Sequence, residues 1–290
     1  MNNKFINKFN AAEWASFAYG LVTACYILIF YKQINNPAGL LFHRAVFFTI
    51  LILMIFISER LPLTAFRLIR YLFPFALISY WYPETYWLNN EVIIPNLDKF
   101  FDNLDRVLFG CSPAMAFSRL LPSAAVSEIM YFGYFSYFLI FLILLLLTFF
   151  KRQAASGKIM FLLLCSFFIF YMIFIFIPVA GPQFYYSPAD SEVPAGYFFS
   201  ALMRGIQQTG EQPTGAFPSS HVGMTLIAVW LVFKHFRRLF CFVLPVAIIL
   251  IASTVYIKAH YLIDVIAAFV VSPMIYCASK HLYRFLGDTK

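Results

Sequence analysis

Charge is scarce in this chain. Only 12% of its 290 residues are Asp, Glu, Lys or Arg, and only 13 of them are acidic. A soluble domain carries roughly 25% charged and 45–50% apolar residues. Here 62% are hydrophobic and 20% aromatic, with 37 Phe and 18 Tyr. That composition excludes a soluble globular protein, a disordered chain and a coiled coil. Cysteine is scarce as well. Cys25, Cys165, Cys241 and Cys277 lie in apolar runs and only Cys111 in a polar stretch. With no C-x-x-C spacing and no second loop thiol, neither a metal cluster nor a disulfide framework is indicated. The net charge of +8 would suggest a polyanion partner in a soluble protein. In so apolar a chain the first question is where those charges lie relative to a bilayer.

Long apolar runs are what the chain has in abundance. A helix needs about 20 mostly apolar residues to cross the hydrocarbon. Eight runs qualify, at 12–31, 40–57, 66–86, 127–149, 159–180, 218–233, 239–257 and 261–283. The third is interrupted by Arg67, Arg70, Pro74 and Pro83. The expected fold is all-α, a polytopic membrane bundle of about eight helices. Lys4 and Lys8 precede the first run but no small-residue cleavage site follows it, so it reads as an anchor.

The connections alternate in sign. Lys4 and Lys8, then Arg60, Arg67 and Arg70, then Lys151, Arg152 and Lys158, then Lys234, Arg237 and Arg238, and finally Lys280, Arg284 and Lys290 fall on one side. Glu84, Glu91, Asp98, Asp102, Asp105, Glu128, Asp190, Glu192, Glu211 and Asp264 fall on the other. The positive-inside rule then places both termini in the cytoplasm and the long connections 87–126 and 181–217 outside. In the first connection, Asn96 can cap a helix with Leu97, Phe100, Phe101, Leu104 and Leu108 on one face. Asp98, Asp102 and Asp105 fall on the other, as in a helix lying in the interface, apolar side down. Ser112-Pro113 marks a second short helix. These segments read either as a structural lid or as a route for substrate.

Ionisable residues near the ends of spans are functional candidates by default. His43, His235 and His281 sit beside Arg or Lys, where interfacial anchoring explains them. His221, His260 and Asp264 sit at the outward ends of the last three spans. In Gly215-Ala216-Phe217-Pro218-Ser219-Ser220-His221, Pro218 suits a first helical position. Ser219, Ser220 and the free N–H groups of that turn would make an anion site, with His221 as proton donor. A helix start with an incidental histidine is the plain alternative. His260 and Asp264 are four residues apart, so on a helix the carboxylate reaches one ring nitrogen and leaves the other nucleophilic. The plain alternative is a pair that holds two helices together. Both elements on one face, with Lys258 for charge, fit phosphate chemistry, which depends on positioning and neutralisation.

Phe217-Pro218-Ser219-Ser220-His221, followed by His260 and Asp264, resembles the second and third signatures of the type-2 phosphatidic acid phosphatase superfamily. The context resembles its inositol phosphorylceramide synthase-like branch: Gly215-Ala216-Phe217, Pro178-Val179-Ala180-Gly181-Pro182, Leu104-Asp105 with Leu108-Phe109-Gly110, and a His260-Tyr261 pattern also seen in sphingomyelin synthases. The likeness runs from about Asn96 to Val271. It implies that His260 attacks the lipid phosphorus to form a phosphohistidine, that Asp264 orients it, and that His221 protonates the leaving group and then activates water or an alcohol. Ser219 and Ser220 would hold phosphate oxygens, and no metal or other cofactor would be needed. The first-signature cations are absent, since Gly181-Pro182-Gln183-Phe184 carries none, and Ser253-Thr254 stands where Ser-Arg is usual. Lys258 and Arg204 are the expected substitutes, with Gln183 as a neutral donor.

The resulting expectation is an N-terminal helix pair over 1–62 and a six-helix catalytic membrane domain over 63–290. Phe-, Ile- and Asn-rich usage suggests a bacterial inner membrane, with the site on its outer face. The activity implied is transfer of a phospho-headgroup from a donor phospholipid to a lipid alcohol such as ceramide. A lipid-phosphate phosphatase acting on phosphatidate, a polyprenyl phosphate or lipid A is the alternative. A transporter with a His/Asp relay is a third reading, against which stands the lack of inverted repeats. No nucleic-acid partner is expected.

Overall fold

A computed structural model describes residues 8–60, 63–89, 94–189 and 192–287. Lys4, Glu91, Asp190 and Lys290, used above to assign sides, lie outside them. The described residues form helices and connections, with no strand. Among the described residues six helices are long and apolar enough to cross a bilayer: α1 (Ala11–Ile29), α2 (Pro37–Arg60), α7 (Ala124–Lys151), α8 (Gln153–Phe176), α12 (Arg237–Tyr256) and α13 (Leu262–Gly287). The chain is an integral membrane protein, a polytopic helical bundle.

Two expected spans take another form. The third is broken at Leu77 into α3 (Thr64–Ala76) and α4 (Ile78–Asn89). Pro74 and Pro83 lie inside these two helices, and each removes one intrahelical donor. At the break the hydroxyl of Tyr171 donates to the Ile78 carbonyl at 3.1 Å. The sixth run becomes α11 (Ser220–His235), which begins two residues after Pro218 because Ser219 takes the cap position and accepts from the Val222 N–H at 3.2 Å.

Apolar all round, α8 occupies the centre. Helices α1, α4, α7, α11 and α13 pack about it, and Leu163, Leu164, Phe170 and Phe174 are wholly buried. The N-terminal helices are tied on by ions. Asn10 and Glu13 form a capping box at the start of α1, and the Glu13 carboxylate also accepts from Arg70 Nε at 2.7 Å. Arg44 of α2 donates from Nη1 and Nη2 to the two carboxylate oxygens of Glu84 in α4, at 2.9 and 2.8 Å. Both are 3–4% exposed, so Glu84, counted above among the outward acids, is a buried partner of Arg44.

The connection after α4 carries α5 (Asp98–Phe109) and α6 (Pro113–Leu120, with Ser112 at its cap). The amphipathic pattern of α5 is as expected, but its acidic face turns inward. Asp98, Asp102 and Asp105 are buried, while Phe100, Val107 and Leu108 are exposed. The reason is local and polar. Asp98 accepts from the N–H groups of Ala180 and Gly181 at 2.8 Å, Asp102 takes Arg106 and Tyr186, and Asp105 accepts from Leu262 and Ile263 at 2.9 Å. Backbone donors at a helix start need partners, and these carboxylates supply them from a different element. Glu128 of α7 does the same for α10 (Phe198–Gly210), accepting from Tyr197, Phe199 and Ser200. A short α9 (Pro182–Tyr185) completes the set.

Candidate active site

Three short segments converge at one end of the bundle. The first is the loop before α11. Thr214 is gripped from α4, where Asn89 Nδ2 donates to its hydroxyl at 2.7 Å, Thr85 shares a hydrogen bond with it at 3.1 Å, and Tyr82 donates to its carbonyl at 3.1 Å. Ala216 N–H donates to Val179 O at 3.0 Å. The second is the turn between α12 and α13, where His260 N–H donates to Thr254 O and Tyr261 N–H to Asp264 Oδ2. The third is Pro178–Pro182, held by Asp98. Ser219 N–H closes the set by donating to the Asp264 carbonyl at 3.2 Å.

The two histidines meet. His221 Nδ1 and His260 Nε2 are 3.3 Å apart, and His260 Nδ1 is 2.8 Å from the Ala216 carbonyl. A carbonyl only accepts, so Nδ1 of His260 carries the proton and its Nε2 has the lone pair. His221 Nδ1 therefore donates to that lone pair. Asp264 Oδ2 lies 3.7 Å from His260 Nδ1, beyond hydrogen-bond range. The tautomer expected from Asp264 is thus set by the Ala216 carbonyl instead. The carboxylate lies alongside the ring, its Oδ1 buried without a partner, close enough to balance a positive imidazole.

Burial holds the His260 imidazole down to about 4, against smaller upward pulls from the Ala216 hydrogen bond and Glu211. Its neutral, nucleophilic form exists above that value and is lost as the pH falls through it. With a phosphodiester substrate, the acid limb of kcat/KM is expected near pH 4. A midpoint at the ordinary histidine value of about 6.5 would contradict this environment.

His221 also faces a cavity of about 490 Å³. Its ring packs between Tyr134 and Tyr137, with centroids 4.7 and 4.6 Å away. Beside it, Glu211 accepts from Tyr134 Oη at 3.0 Å and from Gln183 Nε2 at 2.6 Å, with Gln207 near both. Ser220 lines the same wall. His260 is 3% exposed and sits behind His221.

Ser219, Ser220, His221, His260 and Asp264 therefore come together, and Gln183 joins them through Glu211. The two expected cations do not turn to the cavity. Lys258, in the left-handed region at φ 65°, sends its wholly buried ammonium to Ser118 Oγ and the Glu192 carbonyl, at 3.0 and 2.7 Å. Burial and nearby Arg119 lower it to about 8. Arg204 donates to the Val193 carbonyl at 2.7 Å and lies over the Tyr131 ring. Backbone carbonyls of 192 and 193, which no sequence pattern announces, take both charges. Glu211 is the residue that sequence reading passed over: it counted only as an outward acid, and its tyrosine and glutamine partners come from distant segments. Among the described residues no three His, Cys, Asp or Glu side chains are placed to hold a metal ion.

Gly181 sits at φ 97°, and a Cβ there would lie 2.6 Å from the Ala259 carbonyl oxygen, one residue from His260. Gly181→Ala is expected to cost about 1–3 kcal/mol of stability and to lower kcat by displacing His260. Unchanged kcat in a folded variant would show that the turn tolerates the shift.

The family profile described as PAP2 superfamily matches residues 101–278, more than half of the chain. The chain belongs to the PAP2 superfamily. No curated protein and no solved structure gives a significant match. The matched stretch contains His221, His260 and Asp264, and membership of this family supports phosphatase- or phosphotransferase-type chemistry.

Proposed function

We propose that this chain is a lipid phosphotransferase of the inositol phosphorylceramide synthase-like kind, moving a phospho-headgroup from a donor phospholipid to a lipid alcohol such as ceramide. One observation carries the choice of a phosphodiester donor. Among the described residues no Lys or Arg lines the cavity beside His221, whereas the Glu211 carboxylate does. A monoester dianion would meet a negative charge there without compensation, and a diester bears only one charge.

The chemistry follows from the tautomers. His260 Nε2 attacks phosphorus, the P–O bond to the lipid glycerol breaks, and the leaving oxygen takes a proton from His221, which enters the step as an imidazolium and leaves it neutral. The phosphorylated ring is cationic, and the Asp264 carboxylate at 3.7 Å compensates it. Neutral His221 then removes the proton of the lipid alcohol, whose oxygen attacks phosphorus as the P–N bond breaks. Attack needs phosphorus roughly 3–3.5 Å from Nε2, and His221 must reach the leaving oxygen at about 2.6–3.2 Å. A 3.3 Å contact between the rings has no room for both, so substrate turns His221 away from His260. The charge distribution supports a site on the face away from the cytoplasm, and the Phe-, Ile- and Asn-rich usage supports a bacterial inner membrane.

The test is mass spectrometry of the lipids made by purified protein given phosphatidylinositol and other donors, with and without ceramide. A new phosphosphingolipid with diacylglycerol released in equal amount is expected. Efficient phosphate release from phosphatidate with no new phospholipid would make the enzyme a phosphatase.

A further inference from the structure

Five cavity-lining residues used here, Leu72, Phe75, Ala76, Ser79 and Tyr82, belong to α3 and α4. Both helices precede the stretch that matches the family. They form the wall opposite α7, and the cavity changes character along its length. Near His221 the wall carries Tyr82, Tyr134 and Glu211, with hydroxyl and carboxylate groups. About three turns further along α7 the lining is Leu72, Phe75 and Leu145, which offer only hydrocarbon. From Tyr134 to Leu145 the α7 backbone advances about 16 Å, close to the roughly 15 Å hydrocarbon depth of one leaflet. Between these two ends the lining residues Ala76, Ser79, Phe138 and Leu142 are exposed.

We infer that α3 and α4 select the hydrocarbon chain of the substrate. One chain slides in sideways between α3–α4 and α7, its phosphate end stays at His221, and its tip meets Leu72, Phe75 and Leu145. The inference rests on the lipid-phosphate reading of the site and adds to it a length limit set outside the family-matched stretch. Tethers keep the wall in place. Tyr71 shares a hydrogen bond with Thr148 of α7 at 3.0 Å at the apolar end. At the His221 end, α4 holds Thr214 as described, so chain selection and the loop that presents His221 share one scaffold.

Two experiments test this. The first compares turnover of dioctanoyl and dioleoyl forms of one donor by the wild type, Leu72→Trp and Phe75→Ala. Leu72→Trp shortens the cavity and is expected to lower the long-to-short ratio at least tenfold, whereas Phe75→Ala deepens it and raises the ratio. Both variants keeping the wild-type ratio while still turning over lipid would overturn the inference and leave the lipid-phosphate reading standing. The second uses wild-type protein and a phospholipid with a diazirine at its chain end. Crosslinks on α3 or near Leu145 are expected, competed by unlabelled lipid; labelling confined to other helices would overturn the inference. If the wild type turns over no phospholipid of either length, the functional reading falls, and the crosslinks still decide whether a chain occupies the cavity.

Discussion

Substitution of His260 by alanine is expected to abolish lipid turnover, with a loss of at least about four orders of magnitude, as for other nucleophiles that act within a coupled unit. No neighbour can replace it. Ser219 is committed to its helix cap, and His221 would have to serve as nucleophile and acid at once. His221→Ala removes the proton donor and the later base but leaves Nε2 of His260 with its lone pair and its Ala216 contact. Labelled donor should therefore leave an acid-labile, base-stable phosphohistidine on His221→Ala and none on His260→Ala. Retained turnover in His260→Ala, in folded protein, would remove the covalent mechanism altogether. His260→Ala folding is checked by its elution and melting, since the lost hydrogen bond to Ala216 is worth only about 1 kcal/mol.

The second large effect lies far from the chemistry. Arg44→Leu or Glu84→Leu alone is expected to cost about 3–5 kcal/mol, because each leaves an uncompensated charge buried among apolar helices. The clamp is fully made: Arg44 also donates to Thr23 Oγ1 at 3.2 Å and to the Leu40 carbonyl at 2.9 Å. The double variant Arg44→Leu/Glu84→Leu should recover most of the loss, since replacing a buried pair by apolar residues is often neutral. Unfolding in detergent, with the three variants compared in a double-mutant cycle, measures the coupling. Single variants within about 0.5 kcal/mol of wild type would show that water or a second partner reaches the pair. Loss of α4 position should also lower activity, because Tyr82, Thr85 and Asn89 hold Thr214.

Several misreadings of the sequence share one cause. The periodicity of α5 correctly separated its acids from its apolar residues, yet a hydrophobic pattern does not say which side meets protein. Asp98 and Asp105 turn inward because the backbone donors of Ala180, Gly181, Leu262 and Ile263 await acceptors there. Those donors are some 80 and 157 residues away in the chain, out of reach of any local rule. The spacing of His260 and Asp264 brought the pair close, but the hydrogen bond went to a carbonyl 44 residues earlier. Lys258 was assigned by its position beside His260; its left-handed backbone sends the side chain the other way.

What the sequence determined alone is what depends on composition and short-range spacing. Apolar runs longer than a bilayer needs made the chain a membrane bundle, and two motifs of short, fixed spacing named His221, His260 and Asp264. Composition and periodicity are properties of single segments, so a linear reading reaches them. The tertiary structure decided everything that requires two distant segments at once. It set the tautomer of His260, withdrew Lys258 and Arg204 to backbone carbonyls, placed Glu211 beside His221 and made α3–α4 a wall of the cavity. Hydrogen bonds and charges act over a few ångströms, and only the folded chain fixes which groups stand within that distance.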